Sequence, residues 1–173
     1  MPKAWKPYIK EGIEAWNEAF KKIGFKNVIR VMDFPKDDPD FNANNIKYST
    51  IRYAPLWLDI QNSMHVDPRT GEILNASLYV YDGLMSSLKA NRILTTMAAD
   101  PSVRTNHFSE EMMGEMIRSV IMREAGINLG LVYNVGASAV YPVFPDKTPS
   151  IMVSRAFLLC TEKLLFPSQS VNA

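Results

Sequence analysis

The chain has 173 residues, of which 47% are apolar and 21% charged, and its formal net charge is +1. That is the size and balance of one globular domain able to bury a substantial core. Such a charge gives no electrostatic case for nucleic acid or an anionic membrane. The single cysteine, Cys160, excludes an internal disulfide, and no apolar run reaches the length of a transmembrane span.

From the N-terminus, MPKAWKPYIKEG contains no apolar stretch of signal-peptide type. Pro7 suits a first helical turn. Ile9, Ile13, Trp16, Phe20 and Ile23 then recur on one face, so the spacing predicts an amphipathic helix over Pro7–Ile23, stopped by Gly24 and laid against a sheet. Phe25 to Phe34, with Val28, Ile29, Val31 and Met32, reads as a first strand. The acidic, proline-broken run from Pro35 to Asp40 is a solvated loop without the ligand spacing of a calcium-binding EF-hand. Tyr48–Tyr53 reads as a second strand, cut by Pro55, and Leu56–Met64 as loop with some strand. A turn falls at Pro68–Gly71. Ile73–Tyr81 alternates as a strand, expected at the sheet edge, and Tyr81 or Asp82 to Ala98 forms the next helix. The order of helix, strands, helix, helix gives an α+β domain: a twisted mixed sheet, mainly parallel, backed by two to three helices.

The segment Ser109 to Ser138 dominates the chain. Ser109 is a helix cap, with Glu110 and Glu111 at the positive helix end. Met113, Met116, Ile117, Val120, Ile121, Ile127 and Leu131 have the spacing of a half-buried helix running to about Leu129, with Gly130 as the left-handed stop. Within it, Arg123-Glu124-Ala125-Gly126-Ile127 occupies the frame of H-E-x-x-H. In that motif two histidines four apart hold Zn²⁺ and the glutamate acts as general base. Of the longer H-E-x-x-H-x-x-G-x-x-H pattern, Glu124 and Gly130 remain. Arg123, Ile127 and Tyr133 stand at the three ligand positions.

Glu124, Gly126, Leu129, Gly130, Leu131, Asn134, Ala137 and Ser138 fit in register a catalytic helix of the form A-H-E-x-G-H-T-L-G-L-x-H-N-x-x-A-S. This pattern resembles that of a family of large, secreted bacterial zinc-dependent metalloproteases of metzincin type. The resemblance extends through Trp5–Ile9, Glu14–Trp16, Gly24–Asn27, Tyr48–Arg52, His65–Leu74, Met113–Glu115 and Pro149–Met152. It implies a single metzincin-like domain over residues 1–173, with Met152 in the methionine turn beneath the metal. Against that family, the connection Asn134–Thr148 looks shortened and the C-terminal subdomain largely missing. Ala156–Leu165 reads as a short apolar helix ending at Pro167. Export is what the relatives imply, with no leader visible in this chain.

The implied activity is zinc-dependent peptide hydrolysis, but the ligand chemistry predicts its loss. Arginine has no available lone pair and carries a permanent charge. Isoleucine has no donor atom, and one tyrosine cannot hold the ion. Neither zinc nor another cofactor is expected, and Arg123 is expected to pair with Glu124 or with another acid. His65 and His107 read as hydrogen-bonded structural histidines. The alternative is a peptide- or protein-binding module using the edge near Asn75–Tyr81. A third reading, another enzyme built on Ser138, Tyr133, Glu124 and His107, has no nucleophile–base spacing behind it. Val132, Val135, Val140, Tyr141, Val143, Phe144, Phe157 and Leu158 need cover, from the C-terminal tail or from a homodimer.

Overall fold

The computed structural model describes residues 1–35, 38–98, 100–105 and 107–132. After a short 3₁₀ turn at Lys3–Trp5, α1 spans Lys6–Glu14 and α2 spans Trp16–Lys22. Ala15 between them keeps right-handed helical angles, so the two run on as nearly one helix, close to the Pro7–Ile23 expectation. Gly24 stops it at φ 94°. Gly24 N–H donates to the Lys21 carbonyl and Phe25 N–H to that of Phe20, the paired bonds of a Schellman turn. Ile9 and Trp16 are buried, whereas Phe20 is half-buried and Ile23 exposed. The apolar stripe therefore outruns the surface that covers it.

The strand expected at Phe25–Phe34 does not form. The Asn17 side chain takes its place in the hydrogen bonding: Oδ1 accepts from Ile29 N–H at 2.9 Å and Nδ2 donates to the Ile29 carbonyl at 2.7 Å. Val31 N–H donates to the Glu14 carboxylate at 3.1 Å. The segment satisfies backbone groups on helix side chains instead of on a sheet ladder, leaving Phe25, Val28, Met32 and Phe34 exposed.

Three strands make the sheet: β1 (Ile51–Ala54), β2 (Gln61–Val66) and β3 (Ile73–Tyr81), in the order β1-β3-β2. β1 runs parallel to β3, from Ile51 opposite Leu78 to Ala54 opposite Tyr81. β2 runs antiparallel to β3, from Gln61 opposite Tyr79 to Val66 opposite Ile73, with an irregularity at His65/Val66. The sheet is thus mixed, with one parallel and one antiparallel pair rather than mainly parallel. The edge position expected for Ile73–Tyr81 is corrected too: β3 is central. Its second half shows why, since Ser77, Leu78, Val80 and Tyr81 are buried on both faces, the mark of a strand with neighbours on either side. The exposed antiparallel edge belongs to β2, in a stretch read only as loop with some strand. Between β2 and β3 the chain turns where expected. Gly71, at φ 76°, donates to the Asp67 carbonyl at 2.8 Å, and the Asp67 side chain accepts from Arg69 N–H.

Helix α3 spans Gly83–Thr96 and α4 spans Glu110–Asn128. The core lies between one sheet face and the helices. Ile9 of α1, Leu78 and Val80 of β3, Leu84 of α3, and Ile117 and Ile121 of α4 form one buried cluster. Leu78 and Val80 share a face because strand side chains alternate; Ile117 and Ile121 share one because four residues make about one helical turn. Each such side chain contributes roughly 1.5–3 kcal/mol on burial. The opposite sheet face carries Asn75, Ser77 and Tyr79. A loop packs on it, held by Asn75 Nδ2 donating to the carbonyls of Ile46 (3.0 Å) and Tyr48 (2.7 Å). The architecture is α+β, and among the described residues no helix is long and apolar enough to cross a membrane.

Candidate functional site: the central helix and Glu124

Both ends of α4 are set by the residues singled out in the sequence. Ser109 Oγ accepts from Met112 N–H at 3.2 Å, with Glu110 and Glu111 in the first turn. At the other end Gly130 adopts φ 86°, its N–H donating to the Ile127 carbonyl at 2.9 Å. Leu131 N–H donates to the Gly126 carbonyl at 3.1 Å. This second Schellman turn takes the chain off the helix axis at the glycine that the extended zinc-protease pattern also uses as its turn.

Glu124 is only 5% exposed. Its Oε1 accepts from Arg123 Nε (2.9 Å) and Nη2 (2.6 Å), and its Oε2 accepts from Asn62 Nδ2. The carboxylate is therefore held by three donors, two from the neighbouring residue and one from the edge strand β2. Of the alternatives open for Arg123, the structure has it paired with Glu124. Asn62 was not legible as part of this constellation. It lies 62 residues away, and an asparagine in a short polar strand carries no motif.

Ile127 lies one helical turn beyond Arg123 and is half-buried. Tyr133 and Met152 lie outside the described residues, as do Cys160, the Asn134–Thr148 connection, the Ala156–Leu165 helix, and most of the apolar positions for which cover was expected. His65 sits exposed on β2, and His107 exposed ahead of α4, where its carbonyl accepts from the Thr105 hydroxyl. Neither joins Glu124. Among the described residues no three histidine, cysteine, aspartate or glutamate side chains group as a metal site.

Packing beneath this helix gives Gly126 a purpose of its own. The Trp16 indole, 1% exposed, donates from Nε1 to the Met122 carbonyl at 2.9 Å. A Cβ on Gly126 would lie 2.6 Å from Trp16 Cζ2 and 3.1 Å from Cη2. The glycine is thus the recess that admits the indole against the helix. Gly114, higher on the same helix, admits the Tyr8 ring in the same way.

A capped helix thus crosses beneath a small mixed sheet, with an antiparallel edge strand reaching its central glutamate. Residues 105–159 match the family model described as Met-zincin, so this segment is similar to metzincin-type metalloproteases. No curated protein and no solved structure matches the chain.

Proposed function

We propose that the protein is a metzincin-related domain that has exchanged its zinc site for a structural ion pair and no longer hydrolyses peptides. The relationship to metalloproteases is carried by the matched segment; the loss of activity is argued from donor chemistry. A catalytic zinc needs three protein ligands and an open position for water. At the two described ligand positions stand a guanidinium, all donors and positively charged, and an isoleucine with no donor atom. These residues do not fit zinc. The single observation that carries the reading is the Arg123–Glu124 pair. The carboxylate that would serve as general base has its oxygens occupied by Arg123 and Asn62.

The test is the metal content of the purified protein, with peptide hydrolysis measured beside it. Expected are no stoichiometric zinc and no cleavage above background. Tightly held zinc together with cleavage that Glu124→Gln abolishes would overturn the proposal.

A second reading is favoured by one observation. The outer edge of β2 is exposed along nearly its whole length, including Met64 and Val66. An extended peptide could add to such an edge by main-chain hydrogen bonds. Exposed Leu74, Leu129 and Val132 add apolar surface that calls for cover, by a peptide, by residues beyond 132 or by a second copy. Under this reading the fold binds without cutting, and Pro in place of Met64, opposite Ala76 with its N–H turned away from β3, would block edge pairing.

A further inference from the structure

The sheet face turned away from the helices carries a second feature, unconnected with Glu124. Between this face and the 43–46 loop opens a cleft of about 240 Å³. Its lining includes Arg52 from β1, Ser63 and His65 from β2, and Asn75, Ser77 and Tyr79 from β3. None of its lining residues is acidic.

Arg52 is held in place with unusual completeness. Its Nε donates to Thr50 Oγ1 at 3.0 Å, Nη1 to Asn44 Oδ1 at 2.6 Å, and Nη2 to the Ala43 carbonyl. Its guanidinium carbon lies 5.6 Å from the Tyr79 ring centroid, within cation–π range. A guanidinium has five N–H donors, so two remain after these three bonds. Among the described residues two other arginines are half-buried, and each meets a carboxylate: Arg92 with Asp100 at 3.2 Å and Arg123 with Glu124 at 2.6 Å. Among the described residues Arg52 meets neutral oxygens and an aromatic face only.

A half-buried cation without a counter-charge is costly unless an anion comes to it. Here the guanidinium is oriented by its neighbours, with donors to spare, at the wall of a cleft that also offers a hydroxyl and an imidazole. The volume is below the roughly 300–1,000 Å³ of sites for drug-sized ligands. It is several times the ~30 Å³ share of one water. We propose that this cleft binds a small carboxylate, taken by the planar fork of Arg52 and flanked by Ser63 and His65.

The experiment is an NMR titration of the full chain with acetate, succinate and citrate, with acetamide as the neutral counterpart and inorganic phosphate as the tetrahedral anion. Saturable binding of at least one carboxylate is expected at Kd ~1 mM or tighter, with amide shifts centred on Asn44, Ser63 and Ser77 and none from acetamide. Arg52→Lys should weaken binding about tenfold, because a point charge does not replace the fork, and Arg52→Met should remove it. Since Arg52 also fastens the loop, His65→Ala serves as a second variant; His65 is exposed, and this change should weaken binding severalfold with the fold intact. Absence of saturable binding by all three carboxylates, shifts that map elsewhere, binding undiminished in Arg52→Met, or preference for phosphate would each overturn the proposal.

Discussion

Gly126→Ala tests the packing role of this helix. In an open helix the change stabilises, by up to ~1 kcal/mol, because glycine is the poorer helix former. Here the new Cβ would sit 2.6 Å from Trp16 Cζ2, a separation that real contacts do not adopt. The indole cannot easily retreat: it is fully buried and tied by Nε1 to the Met122 carbonyl at 2.9 Å. Overpacking of this kind costs about 1–3 kcal/mol. With the upper end of that range applying to a fixed ring, the net expectation is about 2 kcal/mol of destabilisation. Urea unfolding followed by far-UV circular dichroism reads it as a lowered midpoint at unchanged slope. Gly114→Ala is the comparison. Its clash is with the far end of a half-buried Tyr8 ring that can swing aside, so it should cost less despite the closer approach. In a Trp16→Phe background the Gly126→Ala penalty should shrink, since the smaller ring vacates the contact. A neutral or stabilising Gly126→Ala, or one whose cost is unchanged by Trp16→Phe, would refute the argument.

The remaining predictions concern the site and the acid limb. Arg123→His with Ile127→His places two imidazoles four residues apart on the helix, and adding Tyr133→His supplies a third candidate ligand. Stoichiometric zinc by elemental analysis is expected in the triple variant alone, and zinc in the single Ile127→His variant would show that Arg123 does not bar the metal. Arg123→Met should destabilise by about 1–3 kcal/mol, discounted because the arginine is 38% exposed. Arg123→Met with Glu124→Gln should recover much of that in denaturant melts, and equal losses would show that no buried charge had been stranded. Asp100 is held below the usual carboxylate range, first by the Ser102 hydroxyl, then by Ser102 N–H, with Arg92 adding to it. Its contribution to stability is therefore fully present above the ordinary aspartate value, about 4, and is lost as pH falls through the lower folded value. Ser102→Ala should flatten that part of the acid limb in a pH series of melting temperatures.

What was legible in the sequence follows from where the information sits. β3, α3 and α4 are long and periodic, and their bounds fall within two residues of the pattern. The stops at Gly24 and Gly130 were legible because a left-handed residue ends a helix by local geometry alone. The 25–34 segment misled because its apolar residues describe a strand, while its hydrogen-bond partners, Asn17 and Glu14, are side chains on the preceding helix. β2 was obscure for the opposite reason. An edge strand with both faces largely in solvent has no alternation to show. That edge and Asn62 then went unassigned together. Glu124 and Arg123 were visible through the motif frame; that Trp16 needs Gly126 was not, for the two lie far apart in sequence and nothing local couples them.

The hydrogen bond from Trp16 to Met122 closes a loop of 106 residues. Synthesis proceeds at about 5–20 residues per second, so roughly 5–20 s separate the emergence of the indole from that of the helix that shelters it. For that interval the indole lacks its hydrogen-bond partner, and Ile9 lacks Ile117 and Ile121 of its buried cluster. Burial of the first helix is therefore completed only once α4 has been made. Until then the part of its apolar stripe around Trp16 is open to chaperones, to proteases and to other nascent chains.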